Sequence, residues 1–127
     1  TYYTDKTAKS GTKYYYAVKS RNEAGNSSLS SSLSKYYLAD PILKTPSSST
    51  KGIALKWTKV AGAEGYIIYR KTGTGSYKKL KVEKGVSNLS YRDTSAKKGK
   101  KYTYKVKAYK SKTYSAYSNA KAITDKY

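Results

Sequence analysis

Residues 40–127 contain short runs in which apolar and polar side chains alternate, separated by turn-forming residues. Alternation with a period of two is typical of β-strands that bury one face and expose the other. The clearest examples are Ile53, Leu55 and Trp57, and the run from Tyr102 to Ala108. No window has the apolar spacing of an amphipathic helix. The pattern therefore predicts an all-β sandwich of about seven strands, at residues 42–44, 53–57, 66–70, 77–82, 89–93, 102–108 and 115–124, with turns at 47–49, 61–65, 73–75 and 98–100.

One stretch of the sequence occurs twice. The residues from Tyr3 to Lys19 return 88 positions later as Tyr91 to Lys107, and ten of the seventeen positions are identical. Such self-similarity is typical of a tandem array of one structural unit. The second copy has about fifty upstream residues that can complete its unit, whereas the first copy has two. We therefore expect residues 1–38 to be the C-terminal half of one domain, its last three strands, and residues 39–127 to be a complete domain. On this interpretation the chain is a C-terminal piece of a longer protein.

Lysine and tyrosine dominate the composition. The chain has 17 Tyr but no Phe, Met, His or Cys, and its formal net charge is +20. Tyr must then supply the aromatic area of the core, with a hydroxyl that can reach water or a carbonyl. So large a positive charge favours attraction to anionic polymers such as nucleic acid, teichoic acid, acidic polysaccharide or anionic lipid. The lack of Cys excludes disulfides and zinc knuckles, but it does not exclude a secreted protein.

No residue pattern indicates catalysis. There is no His to act as a base or a metal ligand, and the seven carboxylates are scattered. Asp5 and Asp93 occupy equivalent positions of the repeat, where we expect them to accept backbone N–H groups at a turn or strand end. Ser-x-x-Lys combinations such as Ser32 with Lys35 are expected by chance in this composition, and that motif requires a helix start. We therefore expect no enzyme activity, no cofactor and no metal site.

Several residues occupy the anchor positions of a known family. They are Trp57 in the second predicted strand, residues 65–70 in the third, 91–93 in the fifth and 99–108 in the sixth. In this order they resemble a fibronectin type III domain, of the kind found in bacterial secreted and cell-surface proteins. The resemblance implies an immunoglobulin-like sandwich of seven strands. It makes Tyr102 the tyrosine-corner residue, with its hydroxyl bonded to an upstream backbone carbonyl, and gives Tyr14 the same role in residues 1–38.

The resemblance also implies that the third, fourth, sixth and seventh strands share one sheet. Alternation then places lysine and tyrosine side chains together on its outer face, where they can neutralise an anionic chain and stack on bases or sugar rings. Because the chain has only three Arg, we expect such binding to be weak, salt-sensitive and unselective. The alternative is a solvated face whose lysines prevent aggregation at strand edges. The candidate polyanion-binding residues are Tyr69, Lys71, Lys101, Lys105, Lys107, Tyr109 and Lys121.

Residues 1–38 lack the strands that would cover Tyr14, Tyr16 and Val18. We expect the upstream part of the same protein, or a second copy of the chain, to complete this half domain. The function that we predict is a non-catalytic structural, spacer or protein-binding module at the C-terminus of a larger secreted or cell-surface protein. The main alternative is weak binding of a polyanion, such as a cell-wall polymer, acidic glycan or nucleic acid. An enzyme fragment is a third alternative, and we expect no insertion into membranes.

Overall fold

The computed structural model describes residues 1–127, which form twelve β-strands and no helix. Every pair of neighbouring strands is antiparallel. The predicted all-β class is therefore confirmed. The strands are β1 Lys13–Tyr16, β2 Arg21–Asn22, β3 Gly25–Asn26, β4 Leu33–Tyr36, β5 Ser47–Ser49, β6 Gly52–Lys56, β7 Gly65–Thr72, β8 Lys78–Lys84, β9 Ser90–Asp93, β10 Lys101–Lys110, β11 Thr113–Tyr114 and β12 Lys121–Thr124.

Residues 39–127 contain the two larger sheets. One has three strands in the order β5-β6-β9. The other has the order β11-β10-β7-β8, and β12 also pairs with β10. The predicted grouping of the third, fourth, sixth and seventh strands in one sheet is therefore confirmed. The core contains Leu38 together with side chains from this region: Leu43, Ile53, Leu55, Trp57, Val60, Ala63, Tyr66, Ile68, Tyr102, Tyr104, Val106 and Ala108.

The alternation read from the sequence predicts the buried faces of β6 and β10 correctly. Ile53 and Leu55 are fully buried in β6, while Lys56 is exposed. In β10, the side chains of Tyr102, Tyr104, Val106 and Ala108 are at most 3% exposed, and the residues between them are partly exposed. The inward side chains bury apolar area against the opposite sheet, and this burial is the main stabilising contribution to such a sandwich.

The structure corrects two predictions between residues 42 and 49. The segment Ser47–Ser49, predicted to be a turn, is strand β5 and pairs with Gly52 to Ala54. Conversely, the strand predicted at residues 42–44 is reduced to one bridge between Leu43 and Trp57. The side chain of Asn119 accepts from the Leu43 amide at 2.9 Å and donates to its carbonyl at 3.0 Å. They add to the two backbone bonds of the bridge, from Lys44 N to Lys56 O at 2.9 Å and from Thr58 N to Ile42 O at 3.0 Å.

Residues 1–38 reproduce the hydrogen bonding of residues 89–126. Lys13 pairs with Tyr36 in β1 and β4, and Lys101 pairs with Thr124 in β10 and β12, each residue displaced by 88 positions. The same displacement relates the β2–β3 hairpin to the pairing of β10 with β11. The amide of Val18 donates to Ser30 Oγ at 3.0 Å, and the equivalent amide of Val106 donates to Ser118 Oγ at 2.9 Å. The repeat in sequence is therefore a repeat in backbone structure.

The two copies differ in how their apolar sides are covered. Tyr16 is 41% exposed and Val18 is 69% exposed, whereas their equivalents Tyr104 and Val106 are fully buried. We call the side of residues 13–21 that carries Tyr14, Tyr16 and Val18 the open face. It borders a groove of about 900 Å³.

A close contact joins residues 1–38 to the rest of the chain. A Cβ added at Gly11 would lie 2.7 Å from the Cα of Gly62, so these two glycines allow the backbones to touch. The hydroxyl of Ser10 donates to the carbonyl of Ala61 at 2.8 Å and accepts from the amide of Ala39 at 3.0 Å. We call this contact the joint. It connects the loop between β6 and β7 to the turn before β1.

Candidate functional site

The outer face of the five-stranded sheet carries most of the predicted candidate residues. Residues that lie directly opposite in an antiparallel pair point to the same side of the sheet. Lys105 lies opposite Tyr69, and Thr103 lies opposite Lys71. Since Tyr104 and Val106 point into the core, Lys105 and Lys107 point outward. We call the outward side of β7 and β10 the lysine–tyrosine face, defined by Tyr69, Lys71, Lys105, Lys107 and Tyr109.

Lysine ammonium groups on this face lie over tyrosine rings. The Nζ of Lys105 is 3.6 Å from the centroid of Tyr117 and 4.0 Å from that of Tyr77. The Nζ of Lys107 is 4.4 Å from the centroid of Tyr114 and 5.3 Å from that of Tyr69. These distances fall within the range of cation–π attraction, which contributes about 0.5–1 kcal/mol at exposed sites. The face is therefore an ordered cluster of cations and rings.

Three members of this cluster were not among the predicted site residues. Tyr77 precedes β8, Tyr114 ends β11, and Tyr117 lies between β11 and β12. The ring of Tyr117 meets the ring of Tyr69 edge-on, with centroids 5.2 Å apart and planes at 88°. Tyr77 and Tyr117 belong to the predicted strands 77–82 and 115–124, but in the structure they lie outside β8 and β12, so alternation could not give their faces. Tyr114 pairs with Tyr109 across the turn between β10 and β11, and neither that turn nor a strand at residues 113–114 was predicted.

Two predicted candidates do not join the cluster. Lys121 lies opposite Tyr104 in the pairing of β12 with β10, so it is on the core-facing side of the sheet, and its predicted outer placement is wrong. The error arises because the irregular residues 115–120 shift the phase of the alternation before β12. Lys101 does point outward, but it is the exposed first residue of β10, away from the rings that contact Lys105 and Lys107.

Tyr109 closes the far end of the face. It lies opposite Gly65, and a Cβ at Gly65 would come within 2.8 Å of the Tyr109 ring and hydroxyl. The glycine therefore leaves the space that the ring occupies. The structure thus places Tyr69, Lys71, Lys105, Lys107 and Tyr109 on one continuous surface, as predicted.

The lysines on this face have no acidic partners. The structure contains a single salt bridge, between Arg70 and Asp93, although the chain has 27 basic residues. An external anion would therefore displace no carboxylate from these ammonium groups. However, Lys105 covers the rings of Tyr77 and Tyr117. Stacking of a base or sugar on the covered sides of those rings would displace this lysine, so the geometry favours binding through charge.

The salt bridge belongs to a buried polar cluster at the end of β9. Arg70 Nη1 and the hydroxyl of Tyr104 each donate to Asp93 Oδ2 at 2.7 Å. The Ser95 hydroxyl donates to Oδ1 at 2.7 Å, and its amide donates to the same oxygen at 3.0 Å. Every oxygen of this fully buried carboxylate therefore has partners. The cluster joins β7, β9 and β10 across the two sheets, which is a structural role.

The surroundings of Asp93 shift two pKa values in opposite directions. Burial raises the pKa of Asp93, but the hydrogen bonds from Tyr104, Ser95 and Arg70 outweigh burial, and the pKa is below its ordinary value. Burial, followed by the hydrogen bond to this carboxylate, raises the pKa of Tyr104 well above its ordinary value. Both shifts favour the carboxylate and the neutral phenol at neutral pH.

No group of three or more His, Cys, Asp or Glu side chains has the geometry to hold a metal ion. None of the secondary structure is a long apolar helix of the kind that crosses a membrane.

Comparisons with known proteins were made by sequence and by structure. No protein-family model and no curated protein matches the sequence. Among solved structures, an Fn3-like protein from Clostridium thermocellum is similar over 72% of this chain and 94% of its own, with 22% identity and a TM-score of 0.57. The fold is that of a fibronectin type III domain. This confirms the resemblance expected from Trp57 and the strands after it.

Two further structures extend the comparison of fibronectin type III folds. The FN1-FN3 domains of chicken CNTN1 are similar over 98% of this chain and 46% of theirs, with 20% identity and a TM-score of 0.62. The β-1,2-glucanase from Parabacteroides distasonis is similar over 72% of this chain, with 26% identity and a TM-score of 0.61. The chain spans 13% of that glucanase.

The tyrosine corner of this fibronectin type III fold differs from the expectation in its bond. The hydroxyl of Tyr102 accepts from the amide of Lys97 at 3.0 Å, and that of Tyr14 accepts from Lys9 at 2.8 Å. The predicted donation to a carbonyl is therefore wrong. Both bonds tie the strand start to the turn before it, five residues upstream, so the role of the residue in fixing that turn is retained.

Proposed function

We propose that the chain is a non-catalytic structural module of a larger secreted or cell-surface protein, which holds neighbouring domains at a fixed spacing. The observation that carries this proposal is the joint, where Gly11 meets Gly62 and the Ser10 hydroxyl bonds to Ala61 and Ala39. The Nζ of Lys110 also lies 4.8 Å from the ring centroid of Tyr36. Close backbone approach at the two glycines, together with these bonds, would restrain the two repeats relative to each other, which a flexible linker would not do.

The comparisons support the proposed place in a larger protein. A unit similar to this one makes up a small share of the β-1,2-glucanase chain. Fibronectin type III domains are also frequent in extracellular proteins, and the fold itself carries many unrelated functions. We accordingly divide the chain into residues 1–38, as the last strands of one domain, and residues 39–127, as a second and complete domain.

Residual dipolar couplings of the intact, isotopically labelled chain test the spacer function. Couplings measured in β1–β4 and in β6–β10 will fit one alignment tensor if the joint is rigid. Two independent tensors would contradict the proposal, because the repeats would then reorient freely. Dilution of the sample distinguishes a rigid monomer from an assembly that only restricts the repeats through contacts between copies.

A second function, weak binding of an anionic polymer, is favoured by the lysine–tyrosine face. Its ammonium groups have no carboxylate partners, and rings order Lys71, Lys105 and Lys107 on one surface. Because the lysines cover the rings, we propose that the face recognises charge density on a cell-wall polymer or acidic glycan. Base or sugar identity would then matter little.

Matched triple variants test this second function. Replacing Lys71, Lys105 and Lys107 by Gln should lower the slope of log affinity against log salt by about 2 for a single-stranded oligonucleotide, at roughly 0.7 per lost contact. The same variant should elute from immobilised polygalacturonate or teichoic acid at lower salt. The control replaces Lys44, Lys51 and Lys56, which are exposed elsewhere on the surface, and thus removes equal charge. Equal losses in both variants would show that net charge acts without a specific face.

A further inference from the structure

The buried cluster around Asp93 has an incomplete counterpart in residues 1–38. Asp5 is the carboxylate equivalent to Asp93. The hydroxyl of Tyr16 donates to Asp5 Oδ2 at 2.9 Å, just as the hydroxyl of Tyr104 donates to Asp93 Oδ2. The hydroxyl of Thr7 donates to Oδ1 at 2.6 Å and its amide donates at 2.8 Å. Asp5 has no arginine partner, since the single salt bridge of the structure joins Arg70 to Asp93.

The open face and the neighbouring residues 2–5 each have a backbone edge without a strand partner. In the second copy, residues 102–109 pair with β7 along their whole length, and residues 90–93 pair with β6. The equivalent residues 14–21 and 2–5 have no strand on those sides, since β1 pairs with β4 alone. Tyr2 and Tyr3 are 94% and 86% exposed as a result. The surface therefore combines unpaired backbone groups, apolar side chains and a carboxylate without a cation.

We propose that the open face binds a β-sheet segment of the type formed by residues 40–88, whose arginine completes the Asp5–Tyr16 cluster. The segment would add one antiparallel strand along residues 14–21 and another along residues 2–5. Its arginine would take the position of Arg70, which donates to Asp93 and lies 4.8 Å from the ring centroid of Tyr102. An indole in the position of Trp57, which shares one core cluster with Tyr102 and Val106, would add apolar cover to the open face. This inference rests on the proposed division of the chain into two repeats.

Charge complementarity selects this occupant over other ligands. The proposed polyanion ligand would meet the Asp5 carboxylate and its like charge, so it does not fit this surface. An apolar ligand or an amphipathic helix could cover Tyr16 and Val18, but neither would pair the free strand edges. A sheet segment with an arginine satisfies all three features, and the second repeat shows that one polypeptide can supply them together. A second copy of the chain is the competing source, because it contains the same strands.

A fusion protein tests the proposal directly. Placing a copy of residues 40–88 immediately before Thr1 of the full chain recreates the spacing of the second repeat, in which position 88 precedes Leu89. Hydrogen exchange measured by mass spectrometry then compares residues 13–21 with residues 101–109 of the same molecule. We expect exchange at residues 13–21 to slow by at least about tenfold relative to the unfused chain, since burial and pairing stop local opening. Residues 101–109 report whether the fusion protein has folded.

Three variants of the fusion identify the role of the arginine. Replacing the added copy of Arg70 by Leu leaves Asp5 buried without its cation, and we expect the protection of residues 13–21 to fall by about tenfold or more. Combining this change with Asp5→Asn should restore part of the protection, because the unpaired charge is removed. Tyr16→Phe provides an independent change in the same cluster and should lower protection by a smaller factor.

The outcomes separate the possible occupants. If the added segment leaves residues 13–21 unprotected while residues 101–109 remain protected, the proposal is overturned. If protection appears but is unaffected by the arginine change, the assigned arginine contact is wrong. If the unfused chain protects residues 13–21 in a concentration-dependent dimer, a second copy is the occupant, contrary to the proposal. A single alignment tensor for the joint would be retained in each case, so these failures are distinguishable from failure of the spacer function.

Discussion

Replacing Gly11 by Ala should uncouple the two repeats, whereas the same change at the equivalent Gly99 should not. Both residues have positive φ angles, +82° and +77°, so the backbone strain of an added Cβ is similar. At Gly99 the new Cβ would meet no atom within 4 Å, but at Gly11 it would lie 2.7 Å from the Cα of Gly62. The pair therefore separates backbone strain from the contact at the joint.

The expected magnitudes follow from these contacts. Positive φ costs an Ala residue about 1–2 kcal/mol in either variant. In Gly11→Ala the backbones must also separate, which breaks the bonds that Ser10 Oγ makes with Ala61 and Ala39 at 2.8 and 3.0 Å. At about 0.5–1.5 kcal/mol each, these bonds add about 1–3 kcal/mol of lost coupling. This second loss has no counterpart in Gly99→Ala.

Residual dipolar couplings provide the assay, with thermal unfolding as a check on stability. Wild type and Gly99→Ala should each fit one alignment tensor, and Gly11→Ala should require two. Ser10→Ala is a second test of the same contact that introduces no backbone strain, and it should loosen the joint in part. If Gly11→Ala retained one tensor and the same couplings as wild type, the contact between glycines would not hold the repeats, and the reasoning would be wrong.

Three changes within residues 39–127 have distinct expected results. Asp93→Asn should lower the free energy of unfolding by about 3–5 kcal/mol at pH 7, because Arg70 loses its buried partner. The stability of this variant should also depend less on pH in acid than that of wild type. In wild type, the contribution of Asp93 is present above the ordinary pKa of an aspartate and is lost as pH falls through the lowered folded-state pKa. Tyr104→Phe should reduce the loss of stability above about pH 10, where wild type is penalised because the folded state raises the pKa of this phenol. Trp57→Phe should cost less than about 2 kcal/mol, because it removes a buried indole N–H that has no acceptor. Urea unfolding followed by circular dichroism measures all three, and a Trp57→Phe cost equal to that of Trp57→Ala would contradict the last.

The strands with regular alternation were predictable because two independent signals agree in them. In β6 and β10 the side-chain period identifies the strand and also assigns the buried face, and the turn at residues 98–100 marks the start of β10. The fully buried Ile53 and Val106 follow from this period alone. Tertiary pairing only adds the register between the strands.

The errors lie where pairing decides the structure and composition does not. Three consecutive serines favour a turn by propensity, yet Ser47–Ser49 pairs with the strand that follows across the turn at residues 50–51. The Ser48 hydroxyl is held by Asp125 at 2.6 Å, a contact between residues distant in sequence. The face of Lys121 was wrong for a similar reason, since a period of two cannot be carried through an irregular segment.

The core contains tyrosine and no phenylalanine, and the tyrosine hydroxyls add hydrogen bonds to the packing of the rings. The hydroxyl of Tyr66 accepts from the Val60 amide at 3.0 Å and donates to the Val86 carbonyl at 2.9 Å, while that of Tyr104 donates to Asp93. Most of these bonds connect neighbouring loops and strand ends, so they add polar links around an apolar centre.

Tyrosine hydroxyls also make such links in residues 1–38, although the apolar face there is not covered. Tyr14 and Tyr16 keep their bonds to Lys9 and Asp5, and their rings lie 6.2 Å apart, compared with 6.3 Å for Tyr102 and Tyr104. Local hydrogen bonds therefore hold these tyrosines and the carboxylate in residues 1–38 as their equivalents are held in residues 89–126, and burial of the face is a separate contribution. A covering segment would then bind a surface whose tyrosines and carboxylate are already positioned, so less conformational entropy is lost on binding than if these groups had to be ordered first.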